Sequence, residues 1–384
     1  MQRLELIATT SFGLEAVVAR ELAQLGYADQ HVEDGRVTFV GDEAAVCRAN
    51  LWLRSAERVL LKMGTFEAGD FGTLFDRTKE LPWSDWLPDD ASFPVRGKSV
   101  RSGLHSVPDC QAIVKKAVVD KLKQAYHREW FAESGALYAV EVSILKDQAT
   151  LTIDTTGPGL HKRGYRTLSG PAPLKETLAV ALVQLSFWNS ERPLIDPFCG
   201  TGTIPIEAAM IGRHIAPGLG RTFSAEVWPR IDAKLWDEAR VEARDLATGN
   251  LQETLIGTDR DENVLSLARY HAERAGVADN IHFEAKAFND LSTRRKYGCV
   301  ICNPPYGERS GDVHEAEAIY REMARVFKPL DTWSIYVLTS HPEFERLMGR
   351  RADRRRKLYN GRIECAYYQY LGPRPPWQRG RHAL

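Results

Sequence analysis

Asp196-Pro-Phe-Cys-Gly-Thr-Gly-Thr203-Ile-Pro-Ile-Glu-Ala-Ala209 is the stretch on which the fold of this 384-residue chain turns. It follows the apolar pair Leu194-Ile195 and runs into residues with helical spacing. The pattern predicts a strand, a tight Gly-Thr-Gly turn and a helix start, in that order. An α/β sheet makes a crevice for a nucleotide-like ligand in this way. Gly200 and Gly202 remove Cβ atoms where the backbone would approach a ligand closely. No Gly-Lys-Ser/Thr follows, so this is not a phosphate-binding P-loop, and the third glycine of the dinucleotide fingerprint is missing. The residues suit an amino-acid-bearing nucleoside better than a pyrophosphate. Asp196 stands either to accept from an ammonium group or to orient the loop. Pro197, Phe198, Cys199, Thr201 and Thr203 complete the candidate cofactor turn.

Two further acidic positions extend this site. Leu255-Ile-Gly-Thr-Asp259 is a strand whose terminal Asp259 falls where a ribose diol would lie. Asp261 is read as the cap of a helix that starts at Glu262. Phe288-Asn289-Asp290 follows another strand: Asp290 is placed to accept from an adenine amino group, with Phe288 over the ring, or the triplet is a surface loop.

Asn303-Pro304-Pro305-Tyr306 ends the apolar strand Cys299–Cys302. An aromatic amino group is a weak nucleophile because its lone pair is delocalised. Acceptors on both of its hydrogens favour the pyramidal geometry that attack requires. Asn303 offers a side-chain carbonyl and Pro304 a backbone carbonyl, while Pro305 restrains the residue before it. Tyr306 offers a ring for stacking on a base drawn out of its helix. Transfer by direct displacement depends on alignment more than on acid–base groups. Arg309, in the following Gly307-Glu308-Arg309, is placed to reach a phosphate.

From Leu174 onward the chain alternates helix and strand. Helices are expected at 174–188, 204–212, 230–248, 262–275, 314–328 and 342–349. Strands are expected at 193–196, 254–259, 281–286, 298–303 and 332–339. A Pro/Gly-rich excursion at 214–229 interrupts the alternation. The chain then turns into a hairpin, Lys357–Tyr359 and Arg362–Leu371, about a two-residue Asn360-Gly361 turn. A parallel sheet finishing in an antiparallel hairpin is an architecture associated with class I methyltransferases.

Upstream, residues 1–65 read β-α-β-β-α-β, a ferredoxin-like pattern. A second α+β segment spans 66–155, with loop at 81–91, a strand at 92–95, a helix over Pro108–Tyr126 and strands at 137–144 and 149–153. Residues 156–173, rich in Gly, Pro and basic side chains, read as a linker into the 174–384 domain.

Composition sets the class without naming a partner. The chain is 43% hydrophobic and 27% charged, with 51 Lys and Arg against 51 Asp and Glu. Its charge is uneven: residues 96–128 hold eight basic and two acidic side chains, and Arg346 onward eleven and two. Arg96, Lys98, Arg101, Lys115, Lys116, Lys121 and Lys123 form a candidate RNA-binding face, or a solvated one. Cys299 and Cys302 have metal-like spacing, but no second pair stands nearby and strand alternation puts their sulfurs on opposite faces; no metal is expected. Six scattered cysteines fit a reducing cytoplasm. No leader and no membrane span are expected.

Taken together, Asp196–Thr203, Asn303-Pro-Pro-Tyr-Gly-Glu-Arg309, Leu160-His-Lys-Arg-Gly-Tyr-Arg166 and Ala172-Pro-Leu-Lys-Glu-Thr177 resemble the bacterial THUMP-containing methyltransferases over nearly the whole chain. The nearest resemblance is to the group that makes N2-methylguanosine in 23S ribosomal RNA, whose members are often labelled N6-adenine-specific DNA methylases. The resemblance implies a Rossmann-like catalytic domain using S-adenosyl-L-methionine, an N-terminal THUMP region that presents structured RNA, and roles for Lys175 and Glu176 over the donor. Some relatives carry a second methyltransferase domain; none follows in this sequence, so a single modification is expected. A tRNA guanine-N2 methyltransferase, a DNA adenine-N6 methylase and a non-catalytic RNA-binding assembly protein stand as alternatives.

Overall fold

The computed structural model describes residues 3–168, 174–306 and 313–376. The chain divides into two compact units. One gathers Met1–Thr10, Val18–Leu160 and Thr222–Glu242; the other gathers Ser11–Val17, His161–Arg221 and Ala243–Leu384.

The first unit is built on one seven-stranded sheet. Its strands are β1 (Leu4–Thr9), β2 (Gln30–Glu33), β3 (Arg36–Gly41), β4 (Arg58–Glu67), β5 (Val95–Val100), β6 (Val140–Leu145) and β7 (Gln148–Asp154), in the order β2-β3-β1-β4-β7-β6-β5. Its helices include α1 (Glu15–Gln24) from Val18 onward, α2 (Glu43–Trp52), α3 (Phe71–Glu80) and α4 (Val107–Tyr126). The β-α-β-β-α-β order read from residues 1–65 is present. The strand β4 is longer than expected and runs through residue 65. It pairs with β1 along one edge and with β7 along the other, with an irregularity between Lys62 and Gly64. The ferredoxin-like and following segments therefore share a sheet.

Two local differences have simple causes. The strand expected at 92–95 starts only at Val95, and Ser92 makes one isolated bridge to Leu137. Pro94, lacking an N–H, interrupts the ladder between them. Helix α3 was not expected; only Leu74 and Thr78 of it are buried. Asp70 starts it by accepting from the Thr73 N–H at 2.8 Å.

The second unit is built on another seven-stranded sheet: β8 (Leu194–Asp196), β9 (Leu255–Asp259), β10 (Ile281–Ala285), β11 (Cys299–Cys302), β12 (Ser334–Thr339), β13 (Arg354–Asn360) and β14 (Ile363–Tyr370). Their order is β10-β9-β8-β11-β12-β14-β13. The first five are parallel, and β14 runs antiparallel between β12 and β13. One face packs against α5 (Glu176–Gln184), α6 (Thr203–Gly212) and α8 (Glu262–Arg274); the other packs against α9 (Val313–Phe327) and α10 (Phe344–Met348). Cys299 and Cys302 join different faces, as alternation requires, and all six cysteines are buried and outside any disulfide. The hairpin turn is Gly361-Arg362, one residue later than expected, because Asn360 still pairs with Ile363. Gly361 takes the positive φ of +66° that the turn needs.

The 214–229 excursion and the helix after it resolve differently from expectation. The chain leaves the second unit after Arg221, and Thr222–Glu242 packs within the first. Phe223, Trp228, Ile231 and Trp236 join its core. Trp228 stacks on Tyr138 at 4.5 Å, and Arg48 pairs with Glu242 at 2.8 Å. Helix α7 (Ala233–Asp245) is shorter than the 230–248 expected. The described part of the 156–173 stretch is no loose tether: Thr156 hydrogen-bonds β4 in the first unit, and Arg163 and Tyr165 are buried in the second. Among the described residues no helix is long and apolar enough to cross a membrane.

Candidate active site

In the second unit the chain passes from β8 to β9 to β10 on one side, then crosses to β11 on the other. That reversal leaves a crevice outside the carboxyl ends of β8 and β11. A cavity of about 220 Å³ lies there. Asp196 at the end of β8, Phe198 to Thr201 of the turn, Thr203 at the start of α6, Asp259 at the end of β9 and Asn303 after β11 all line it. Leu174, Ile204 and Val264, given no individual role in the sequence reading, complete the wall. Other expected residues lie elsewhere. Pro197 and Gly202 are buried without lining the cavity, Lys175 is exposed ahead of α5, and Asp290 is exposed in a single helical turn. Glu176 is buried, 3.3 Å from Arg166. Ala172 and Pro173 lie outside the described residues.

The two glycines of the turn have different reasons. Gly202 has φ +79°, and a Cβ there would sit 2.9 Å from the Phe283 ring and 3.0 Å from Ala268 Cβ. Packing of the α6 start against β10 and α8 thus demands Gly202. Gly200 has φ +51° and nothing within 4 Å of its missing Cβ, so backbone conformation selects it. Asp259 braces this turn: its Oδ2 accepts from the Gly200 N–H at 3.0 Å, and its Oδ1 from the Asp261 N–H at 3.1 Å. Asp261 in turn caps α8 by accepting from the Asn263 N–H at 2.9 Å.

Asp196 is 1% exposed, and its Oδ1 accepts from the Phe198 N–H at 3.1 Å. No protein group among the described residues meets its other oxygen. Burial, with Asp259 adding like charge, pushes its carboxyl well above the usual carboxylate range. A cationic group in the cavity would relieve that penalty. Phe198 meets Phe288 with ring centroids 4.8 Å apart, and Phe288 also touches Phe327 edge-on.

The Asn303–Tyr306 loop is held from behind. Pro304 is buried and Pro305 exposed. The Pro305 carbonyl accepts from the Tyr320 hydroxyl at 2.8 Å, and that hydroxyl lies 2.9 Å from Thr339 Oγ1. Thr339 Oγ1 also accepts from the His341 N–H at 3.0 Å. Tyr306 does not stand out as an open platform. Its hydroxyl donates to Asn303 Oδ1, and its ring packs against the core beside Cys365. Burial raises its phenol well above the ordinary value. Arg309 lies outside the described residues.

Sequence reasoning missed Tyr320 and Arg166. Tyr320 reads as one more apolar-face residue of a helix. Arg166 sits in a basic block read as linker, yet its guanidinium reaches Thr203 Oγ1 at 2.6 Å. Beside it, Arg163 and Tyr165 meet the buried Glu207 at 3.5 and 3.0 Å.

The candidate RNA face in the first unit is only partly open. Lys115 pairs with Glu133 at 2.5 Å and lies 3.5 Å from the Phe93 ring centre; Lys123 pairs with Glu129 and Lys98 with Glu141. Arg96, Arg101 and Lys116 are exposed and Lys121 half-buried, all four outside any ion pair among the described residues. Those residues also hold no group of three or more metal-ligating side chains.

Comparison with known proteins assigns the family. Residues 163–369 match the model described as the RMKL-like methyltransferase domain, 5–60 the RlmL ferredoxin-like domain and 68–154 the THUMP domain. A Bacillus subtilis (strain 168) protein named "Putative RNA methyltransferase YpsC" is 50% identical over 372 residues, covering 96% of each chain. A crystal structure from Listeria monocytogenes str. 4b F2365, titled as "a predicted N6-adenine-specific DNA methylase", is 52% identical with a TM-score of 0.92, covering 97% of each chain. The structure of SMU.472, titled "a putative methyltransferase complexed with SAH", is 44% identical with a TM-score of 0.93, covering 98% of this chain and all of that one. The cavity at the switch point, the braced glycine turn and these matches agree: the chain belongs to the RMKL-like methyltransferase family, with an RlmL-type ferredoxin-like domain and a THUMP domain ahead of the catalytic domain.

Proposed function

We propose that the protein transfers a methyl group from S-adenosyl-L-methionine to the exocyclic N2 of a guanosine in 23S ribosomal RNA. One observation carries this reading: Asn303, the first residue of the target motif, lines the same cavity as the braced glycine turn and Asp259. The cavity's residues fit the donor's parts. Asp196 offers an unmet carboxylate oxygen to an ammonium, the amino end of α6 suits a carboxylate, and Asp259 stands at the ribose position. The donor supplies an electrophilic methyl group on a sulfonium.

The chain's own residues do the rest by placement. Asn303 Oδ1 and the Pro304 carbonyl accept the two amino hydrogens and steer the nitrogen lone pair toward the cavity. Tyr306 must yield for this, because its hydroxyl holds the same Asn303 oxygen. Its departure would free both the acceptor and a ring able to stack on the extruded base. The THUMP domain, together with the name of the Bacillus subtilis relative, supports RNA as substrate. The ribosomal target and the guanine N2 position rest on the resemblance of the sequence motifs.

Nucleoside mass spectrometry decides the matter. Protein and isotope-labelled donor are incubated with 23S rRNA, tRNA and duplex DNA, each from cells lacking the enzyme. Labelled N2-methylguanosine in rRNA alone is expected. Label in tRNA, or as N6-methyladenine in DNA, would replace the proposed substrate with another.

A further inference from the structure

Arg166 holds two elements of the donor cavity at once. Its Nη2 directs its two hydrogens to the Leu174 carbonyl at 3.1 Å and to Thr203 Oγ1 at 2.6 Å. Its Nη1 lies 3.3 Å from Glu176 Oε1, a buried carboxylate. Leu174 and Thr203 both line the cavity. A guanidinium only donates, so Thr203 Oγ1 is the acceptor in this bond. The hydroxyl's single proton must then point elsewhere. Among the described residues no protein group receives it, and Thr203 lines the cavity.

We propose that Arg166 is a positioning residue that fixes the Thr203 hydroxyl as a hydrogen-bond donor to the carboxylate of the methyl donor's amino-acid end. An O–H aimed into the cavity selects an acceptor, and Thr203 opens the ten-residue helix α6, whose unsatisfied N–H groups favour an anion. On the same cavity Asp196 provides the opposite pole, a carboxylate oxygen without a protein partner among the described residues. The cavity thus presents a donor and an acceptor suited to a zwitterion. Glu176 balances the guanidinium charge, so the contact acts through direction and not through bare charge. The role explains why a basic block that reads as linker is built into the catalytic unit. It rests on the reading that S-adenosylmethionine occupies this cavity.

The test compares two ligands by calorimetry on the full chain. S-adenosylhomocysteine carries the amino-acid end; 5′-methylthioadenosine keeps the adenosine and thioether but lacks carboxylate and ammonium. Arg166→Met and Thr203→Val should each weaken S-adenosylhomocysteine about tenfold, the loss expected for one hydrogen bond to a charged group. Methylthioadenosine affinity should stay within about twofold, since its own binding groups are untouched. Thr203→Ser should restore S-adenosylhomocysteine binding, and the double variant should be no weaker than either single one. Equal loss of both ligands would show general damage to the cavity and overturn the proposal, as would unchanged S-adenosylhomocysteine binding or additive losses. A wild-type chain that binds neither ligand would instead overturn the donor-site reading, and this inference with it.

Discussion

Tyr320→Phe tests whether the target loop works by being held in place. Tyr320 is fully buried, its ring edge-on to His341 and Phe344 with centroids 5.5 and 5.1 Å away. Phenylalanine keeps that packing and removes one oxygen. The hydrogen-bond chain then breaks in the middle: the Pro305 carbonyl loses its donor and the Thr339 hydroxyl loses its acceptor. Leaving such groups unmet costs about 1–3 kcal/mol. For a unit of this size that is roughly 2–4 °C in Tm for each kcal/mol. If about 1.4 kcal/mol of the cost appears as misplacement of the Asn303 and Pro304 acceptors, the methylation rate falls about tenfold. Tyr320 does not line the donor cavity, so affinity for S-adenosylhomocysteine should hold. Single-turnover transfer from labelled donor measures the rate, and calorimetry the affinity. Thr339→Val should reproduce the loss and Thr339→Ser should spare it. A rate within twofold of wild type, or a parallel fall in donor affinity, would refute the positioning argument.

Asn303→Ala should lower transfer by about a hundredfold or more while donor binding persists, since it removes an acceptor needed only at the reacting nitrogen; full activity would place the target amino group elsewhere. Gly202→Ala forces a Cβ to 2.9 Å from Phe283 at φ +79° and should destabilise the catalytic unit by roughly 1–3 kcal/mol. Gly361→Ala, with nothing near its Cβ, should cost less, and equal melting points would dismiss the packing account. Arg351, Arg354 and Arg356 are exposed at and beside the edge strand β13. Replacing all three should flatten the salt dependence of RNA binding by about 0.7 in log–log slope for each phosphate that is no longer neutralised. Replacing Lys115 and Lys123, already paired with Glu133 and Glu129, should leave the slope nearly unchanged. Asp196→Asn should raise the melting temperature of the ligand-free protein at neutral pH and weaken donor binding. The sign follows from proton counts. Folded Asp196 keeps its proton above the pH at which the unfolded chain loses it, so stability falls as pH rises through that window. A variant melting with the same pH profile as wild type would contradict the assignment.

The parts legible in the sequence were those whose cause is local. Gly200 and Gly202 mark a strand–helix turn because few other residues adopt its φ values. Asp259 and Asp261 fall where a strand ends and a helix begins, and the structure puts them there. The hairpin slipped by one residue because Asn360-Gly361 and Gly361-Arg362 can both form two-residue turns, and only cross-strand pairing with Ile363 decides between them. The α4 lysines looked like a free basic face because sequence shows which residues are charged and not which are paired. Glu133, eighteen residues after Lys115, carries no mark of its partner.

Long-range placement accounts for the rest. Residues 214–229 looked like an insertion within the catalytic domain, and in sequence they are one. Their tryptophan and phenylalanine are better satisfied in the core of the first unit, where Trp86 and Tyr138 meet Trp228 and Trp236 stacks on Phe223. No period in the local sequence encodes that choice. Arg166 and Tyr320 share this invisibility at the site. Each is set by two hydrogen bonds to residues 8 to 37 positions away. Both hold a residue that the motifs did reveal: Arg166 acts on Thr203, and Tyr320 acts on Pro305. On the proposed reading the motifs mark the atoms that meet the ligand, while the atoms that aim them are scattered through a linker and a helix face. If aiming matters as much as direct touch, variants at Arg166 and Tyr320 should lose function along separate lines, donor affinity for one and transfer rate for the other. A common loss in both quantities would mean that the two bonds merely hold up the fold.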